Sequence, residues 1–438
     1  MAESSDHHEL DSAHPGRLQR LLRVERGEWP AVLLGALYFL FLLAAYYVIR
    51  PVRDQFSGQV GSQMLPAFYA VTFAATLLLT PVFGALVARY KRRHFVPVVY
   101  FFFLIGMLAL IPLYGMRDAI GPRTLGAVLF VWVSVFTLFV VAVFWSFMAD
   151  LFDAGQAKRL FPVIALGGPA GAIIGPILTR GLVPIVHVTG LLAVSAGLLA
   201  AAICCVLLLL RWSREHPVRS DERRDERVIG GSIMAGAALT FFSPLLLRMA
   251  VLMLLGDGVG TVIYALLADY SHEHFVNEVQ RTDFAAGVDL YTNVAQAAMQ
   301  VVLTRELMAR LGAVWAVVLD SAIKAIMLIS LIALGGGWIA AVAIVTRASM
   351  YGVFKPAADS LYTLVDAESR YKAKNFIDTV VWRFGDVVIT SSLTALRGIG
   401  FGVAGFAALS TLAALGSGYV GWRIGRQPEV RSEARVAR

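Results

Sequence analysis

The sequence predicts an all-α polytopic membrane protein with twelve transmembrane helices in two pseudo-symmetric six-helix bundles. Three observations carry that expectation. The 438 residues are 58% hydrophobic, with a mean hydropathy of +0.70, whereas soluble domains are nearer half apolar. Apolar runs of about 20 residues, the length that crosses a bilayer core as a helix, recur almost end to end. Short echoes also join corresponding loops of the two halves.

A polar arm, residues 1–28, comes first. Its stretch "RLQRLLRVERGEW" carries leucines at helical spacing beside arginines, which suits an inner-leaflet surface. No short apolar segment precedes a small-residue cleavage site, so the arm reads as retained. The spans fall at approximately 30–50, 64–87, 95–114, 124–149, 162–183, 188–210, 244–268, 283–304, 313–334, 338–364, 375–396 and 400–421. The first ends on "YYVIRPVRDQF", where Arg50, Arg53 and Asp54 follow a charge-free run. In span 5, "GGPAGAIIGP" sets Gly167, Gly171 and Gly175 four residues apart, a smooth face for close helix packing. Cys204 and Cys205 are adjacent inside span 6 and cannot bridge each other, so they read as core residues. The charged segment "RWSREHPVRSDERRDERV" separates spans 6 and 7 and has no apolar periodicity. The expected organisation is therefore an N-terminal bundle at 29–210, a cytoplasmic linker with an interfacial segment at 211–243, a C-terminal bundle at 244–421 and a tail at 422–438.

The formal charge of +8 does not point to nucleic acid, because its distribution is topological. With the N-terminus inside, the inner loops and termini hold roughly 26 Lys and Arg and the outer loops roughly 7, which is the positive-inside asymmetry. Both termini are expected in the cytoplasm.

The repeat lies in the loops. "LFDAGQAKRLF" after span 4 matches "LVDAESRYKAKNF" after span 10 at Asp153 and Asp366, and "LVAR" after span 2 matches "LMAR" after span 8. Parallel six-helix repeats imply a major facilitator-like architecture, with a solute site between the halves near the midplane.

Ionisable groups at membrane depth cost several kcal/mol and mark pathways or pairs. The second half carries Asp257, Asp289, Asp320, Lys324, Arg347, Lys355, Asp359, Asp378, Arg383 and Asp386 within its spans. Asp320 and Lys324 are four apart, acid first, and read as a structural pair. Lys355 and Asp359 share that spacing beside Pro356, where the helix is expected to break, so Lys355 is either paired or a cavity group. Asp257 lies between Gly256 and Gly258, which would allow an unwound helix lining a cavity. Arg383 and Asp386 are one turn apart and either pair or face the solute. The histidines of "SHEHF", around His272, and His7 with His8 read as solvated loop residues, since neither group has a third partner at metal spacing. No hydrolase, metalloprotease or nucleotide-binding loop motif is present. The chain reads as a non-enzyme, with neither cofactor nor metal expected.

Several segments together resemble the bacterial and plastid nucleotide exchange transporters, the ATP:ADP antiporter-like branch of the major facilitator fold. They are "RPVRD" in span 1, "FWSFMADLFDAGQAKRLFPVIALGGPAGAIIGP" from Phe144 to Pro176, "SPLLL" opening span 7, and "YKAKNFIDTVVWRFGD" from Tyr371 to Asp386. The resemblance spans about residues 30–425. It implies that Arg53 takes the family's basic position in span 1 and Asp150 its acidic position at the end of span 4. The family's span 11 lysine falls on Asp386, a reversal of sign that sets an acid where a polyphosphate needs a cation. The span 7 glutamate has no aligned equivalent; Asp257 is near it.

The expected function is a secondary transporter of a small anionic or phosphorylated metabolite, nucleotides included, working by alternating access in the bacterial inner membrane as a monomer. Arg50, Arg53, Asp150, Asp257, Lys355 and Arg383 are the candidate substrate contacts. Two alternatives stay open. One is proton-coupled transport of another solute with Asp386 or Asp257 as carrier. The other is a sensor or scaffold that moves nothing.

Overall fold

The computed structural model describes residues 24–89, 92–216 and 233–427. Residues 1–23 of the arm, with His7 and His8, most of the charged linker and most of the tail lie outside them. All regular structure among the described residues is helical.

Nine helical runs among those residues are long and apolar enough to cross a membrane. The longest, Gly155–Glu215, contains two spans, because His187 adopts φ 56° and ψ −173° and breaks the helix between them. Spans 8 and 11 are too polar for that count. The first runs through Glu278–Ala298 and on to Leu311; the second through Ala367–Phe376 and on to Gly398. Together these make twelve. Five of the turns between spans hold a glycine with φ between 73° and 94°: Gly61, Gly121, Gly312, Gly335 and Gly400. That left-handed region is free to glycine and strained for other residues.

The paired loop motifs have a structural cause. Asp153 accepts a hydrogen bond from the Gln156 amide at 2.7 Å and starts the helix Ala154–Ala165. Asp366 accepts one from the Ser369 amide at 2.9 Å and starts Ala367–Phe376. Each is an N-cap, which satisfies an amide that has no partner within the helix.

The glycine face of span 5 packs on span 1. A Cβ at Gly167 would stand 2.1 Å from the Ala36 carbonyl oxygen, and one at Gly171 2.3 Å from that of Leu40. Only glycine permits that approach. Span 1 also runs further than its hydropathy predicts, as one helix Trp29–Val60 through Pro51. Arg50, Arg53 and Asp54 are therefore inside the helix rather than past its end.

One apolar core is built from first-half residues between Val24 and Leu209. Another comprises second-half residues between Leu246 and Ile424. A third joins the halves, with Leu65, Phe68 and Phe130 against Val259 and Ile263. Polar ties between the halves gather at the end distal to the termini. Asp269 accepts the Ser62 amide at 2.8 Å, and His272 Nδ1 lies 3.1 Å from the Gly58 carbonyl. Arg180 donates to Asp283 at 3.0 Å, and Tyr114 donates to Glu278. His272 is thus a helix-end contact between halves, not the solvated loop residue its sequence context suggests.

Candidate functional site

A cavity of about 580 Å³ lies between the halves, within the size range of small-molecule sites. It is bounded by both halves, and five cations line it: Arg50, Arg53, Lys324, Arg347 and Arg383. Two carboxyls, Asp257 and Asp386, join them. Aromatic walls come from Tyr46, Tyr47, Tyr69, Phe130, Tyr351 and Trp382.

Span 1 supplies the first-half charge by helical phase. Tyr46, Arg50 and Asp54 recur every four residues and Arg53 lies one turn after Arg50, so all share a side. Arg53 grips Asp54 through two nitrogens, Nε at 2.8 Å and Nη2 at 2.6 Å, and its guanidinium stands 4.9 Å from the Phe130 ring centre. Tyr264 of span 7 donates to the same Asp54 at 2.8 Å. Arg50 lies 3.8 Å from Asp54 and 3.5 Å from Asp289 of span 8, beside the rings of Tyr46 and Tyr47. Arg347 of span 10 donates to Asp289 at 3.0 Å. Asp289 is only 1% exposed, and a carboxylate so buried survives only with paired charge around it.

The second-half charges form a separate group. Lys324 pairs with Asp320 at 2.9 Å. It also donates to the Gly256 carbonyl at 3.1 Å and sits 4.9 Å from the Phe354 ring centre. Asp320 in turn accepts from Ser349 at 2.5 Å. Asp386 accepts from Thr261 at 2.6 Å, and Asp257, one helical turn before Thr261, is within hydrogen-bonding reach of Asp386. Arg383 stands 3.9 Å from Asp386.

The helix around Asp257 does not unwind. Pro244–His274 is continuous. Gly256 and Gly258 instead admit neighbouring side chains: a Cβ at Gly256 would lie 2.9 Å from the Phe354 ring and one at Gly258 2.7 Å from Ile389. Pro356 does not break its helix either. A π-helical turn, Met350–Phe354, lies directly before it, and helical backbone continues through Lys355–Leu361.

Two candidates stand apart from the cavity. Asp150 is exposed at the end of span 4. Lys355 lies toward the terminus-bearing end, 3.1 Å from Asp378 and 3.3 Å from Asp359, under Trp382. Asp150 carries its charge at a helix end and Lys355 within the inner part of span 10, and neither position shows in the sequence which way the side chain faces. Conversely, Arg347 and the tyrosines line the cavity although no motif marks them. Their signal is phase: Arg347, Met350 and Tyr351 recur at three and four residues, on one face of span 10. Three π-helical turns among the described residues, Met299–Thr304, Met350–Phe354 and Ile377–Val381, adjoin cavity residues Gln296, Tyr351 and Trp382. Such turns re-aim side chains by one extra residue and concentrate at functional sites.

No family model matches the chain, and no curated protein matches it in sequence. Solved structures match in fold. A bacterial homologue of the iron transporter ferroportin, in an inward-facing state, superposes with a TM-score of 0.64 at 16% identity, covering 92% of this chain and 99% of that one. The nucleoside transporter NupG gives 0.62 at 12% identity, covering 91% and 98%. The D-xylose-proton symporter gives 0.60 at 14%, covering 89% and 97%. At such identities the likeness speaks for the fold alone: the chain is an all-α, multi-pass membrane protein of major facilitator architecture.

Proposed function

We propose that this protein is a secondary transporter that carries a small organic anion through the central cavity by alternating access. The observation that carries the reading is the convergence of Arg50, Arg53 and Arg347, from both halves, on one wall of a cavity lined with aromatic rings. Guanidinium groups offer planar paired donors to carboxylate or phosphate, and the rings offer faces to an apolar or heterocyclic body. Charges that bridge the halves change their partners as the halves rock, which a scaffold does not need. In the state described here the distal end is closed by the Asp269, His272, Asp283 and Glu278 contacts. Solute exchange in this state is assigned to the end bearing the termini.

The charge balance narrows the substrate. Five lining cations are answered by Asp257 and Asp386 and, behind the wall, by Asp54, Asp289 and Asp320. That leaves little surplus for a triphosphate. Within the nucleotide class suggested by the sequence motifs, a monophosphate suits this cavity better, as does any anion of one or two charges.

The test is thermal stabilisation of the purified full chain by paired ligands, an anion and its neutral counterpart, such as nucleoside monophosphates and nucleosides. A ligand at 100 times its Kd stabilises by about 2.7 kcal/mol. An anion that raises the melting temperature in wild type but not in Arg53→Gln supports the reading. Equal shifts from the neutral counterpart would remove it.

A further inference from the structure

The cavity carries a feature that anion recognition leaves unused: two carboxyls in contact. Asp257 of span 7 and Asp386 of span 11 reach one another, and Thr261 donates to Asp386 Oδ1 at 2.6 Å. Two ionised carboxylates repel and cannot hydrogen-bond each other, because neither has a donor. One proton between them supplies that donor. The groups facing the pair are Arg383 from span 11, Lys324 from span 9, Tyr69 from span 2 and Tyr351 from span 10. Of the two cations, Lys324 is engaged elsewhere and Arg383 stays beyond hydrogen-bond distance of the pair. Lys324 is 2.9 Å from Asp320 and bonded to the Gly256 carbonyl, and Arg383 stands off at 3.9 Å. Neither replaces the bridging proton.

We propose that Asp257 and Asp386 form a proton-binding pair whose single proton moves with the anion. The inference rests on the anion-transport reading above. The charge arithmetic supports it. With both carboxyls ionised, the five lining cations face five carboxylates. With one proton bound, the lining carries one net positive charge and accepts an anion. The step balances simply: a proton from the compartment facing the cavity adds to one carboxylate oxygen and is shared with the other. After the halves rock, it leaves to the opposite compartment and both carboxylates are regenerated. The pair lies on the cavity wall. It also bridges spans 7 and 11, so it registers their relative position.

The first test needs no substrate. Infrared spectra of the reconstituted full chain at neutral pH should contain a C=O stretch of a protonated carboxyl that shifts in deuterated water. Asp257→Asn and Asp386→Asn should each lose it, because an amide N–H donates to the remaining carboxylate and replaces the proton. Asp386→Glu should keep it. Absence of the band in wild type, or its persistence in both Asn variants, overturns the proposal. The second test follows internal pH with a dye in proteoliposomes during flux of an anion chosen by thermal shift. Wild type should move protons with the anion, and any residual flux in the Asn variants should carry none. Anion flux without proton movement, or flux that follows a sodium gradient instead, overturns coupling while leaving anion transport standing. A band with no flux of any anion refutes the transport reading and not the shared proton.

Discussion

Arg50 of the first half reaches Asp289 of the second, Nε to carboxylate oxygen, at 3.5 Å. The contact is long, and neither atom has a hydrogen-bond partner in this conformation. On its other oxygen Asp289 is held by Arg347 at 3.0 Å. A carboxylate fixed from one half and loosely approached from the other is arranged to exchange partners when the halves move. A substrate anion is one such partner for Arg50.

Removing Asp289 should therefore cost stability as well as function. Breaking a buried charge pair from one side costs about 3–5 kcal/mol. Asp289→Leu should lower the melting temperature of the purified protein sharply, and adding Arg347→Leu should recover part of the loss. A double variant that is no more stable than the single one would show that the two residues are not coupled.

Gly171 and Gly181 offer a contrast within one helix. A Cβ at Gly171 would lie 2.3 Å from the backbone oxygen of Leu40, whereas one at Gly181 meets nothing within 4 Å. Gly171→Ala should abolish the folded, monodisperse protein. Gly181→Ala should change stability by no more than about 1 kcal/mol. Similar expression and melting for both would contradict the packing of span 1 on span 5.

The distal closure predicts a reversible lock. A Cβ at Gly58 would stand 2.9 Å from the Ser271 Cβ, tighter than the roughly 3.5–4.5 Å of disulfide-linked Cβ atoms, so the two helices must part by a few tenths of an ångström for the bond to form. Gly58→Cys with Ser271→Cys should crosslink on oxidation and stop substrate flux, and a reductant should restore it. Undiminished flux in the crosslinked protein would mean that the distal end does not need to open.

Glu28 predicts a pH dependence outside the membrane. Burial opposes its charge, but hydrogen bonds from Arg159, the Glu25 amide and Gln156 outweigh that and hold its carboxyl below the ordinary glutamate value. Its stabilisation is thus complete above the unfolded pKa and is lost as pH falls through the lower folded one. Thermal melts of wild type should weaken over that acid range relative to Glu28→Gln, whose profile should be flatter. Parallel profiles would remove Glu28 from the account.

The sequence made the fold legible because hydropathy and charge asymmetry are local properties. The repeat was legible too, since Asp153 and Asp366 are caps whose partners lie three residues on. Lys324 shows where legibility ended. Its spacing to Asp320 revealed a pair, but its place on the cavity wall depends on Gly256 and Phe354, distant in sequence. Asp54 likewise read only as a charge at the end of span 1, since Tyr264 is 210 positions away. Asp150 and Lys355 stand apart from the cavity for the converse reason: a motif at Asp150, or an in-span position at Lys355, preserves charge without saying which way the side chain faces.

The most direct measurement is counterflow in proteoliposomes, with labelled nucleoside monophosphates and dicarboxylates each run against a neutral counterpart, for wild type and Arg53→Gln. At least one anion should exchange in wild type, its neutral counterpart should not, and Arg53→Gln should lose the exchange at least tenfold. Neutral solutes moving as fast as anions, or Arg53→Gln exchanging at the wild-type rate, would contradict anion transport through the cavity.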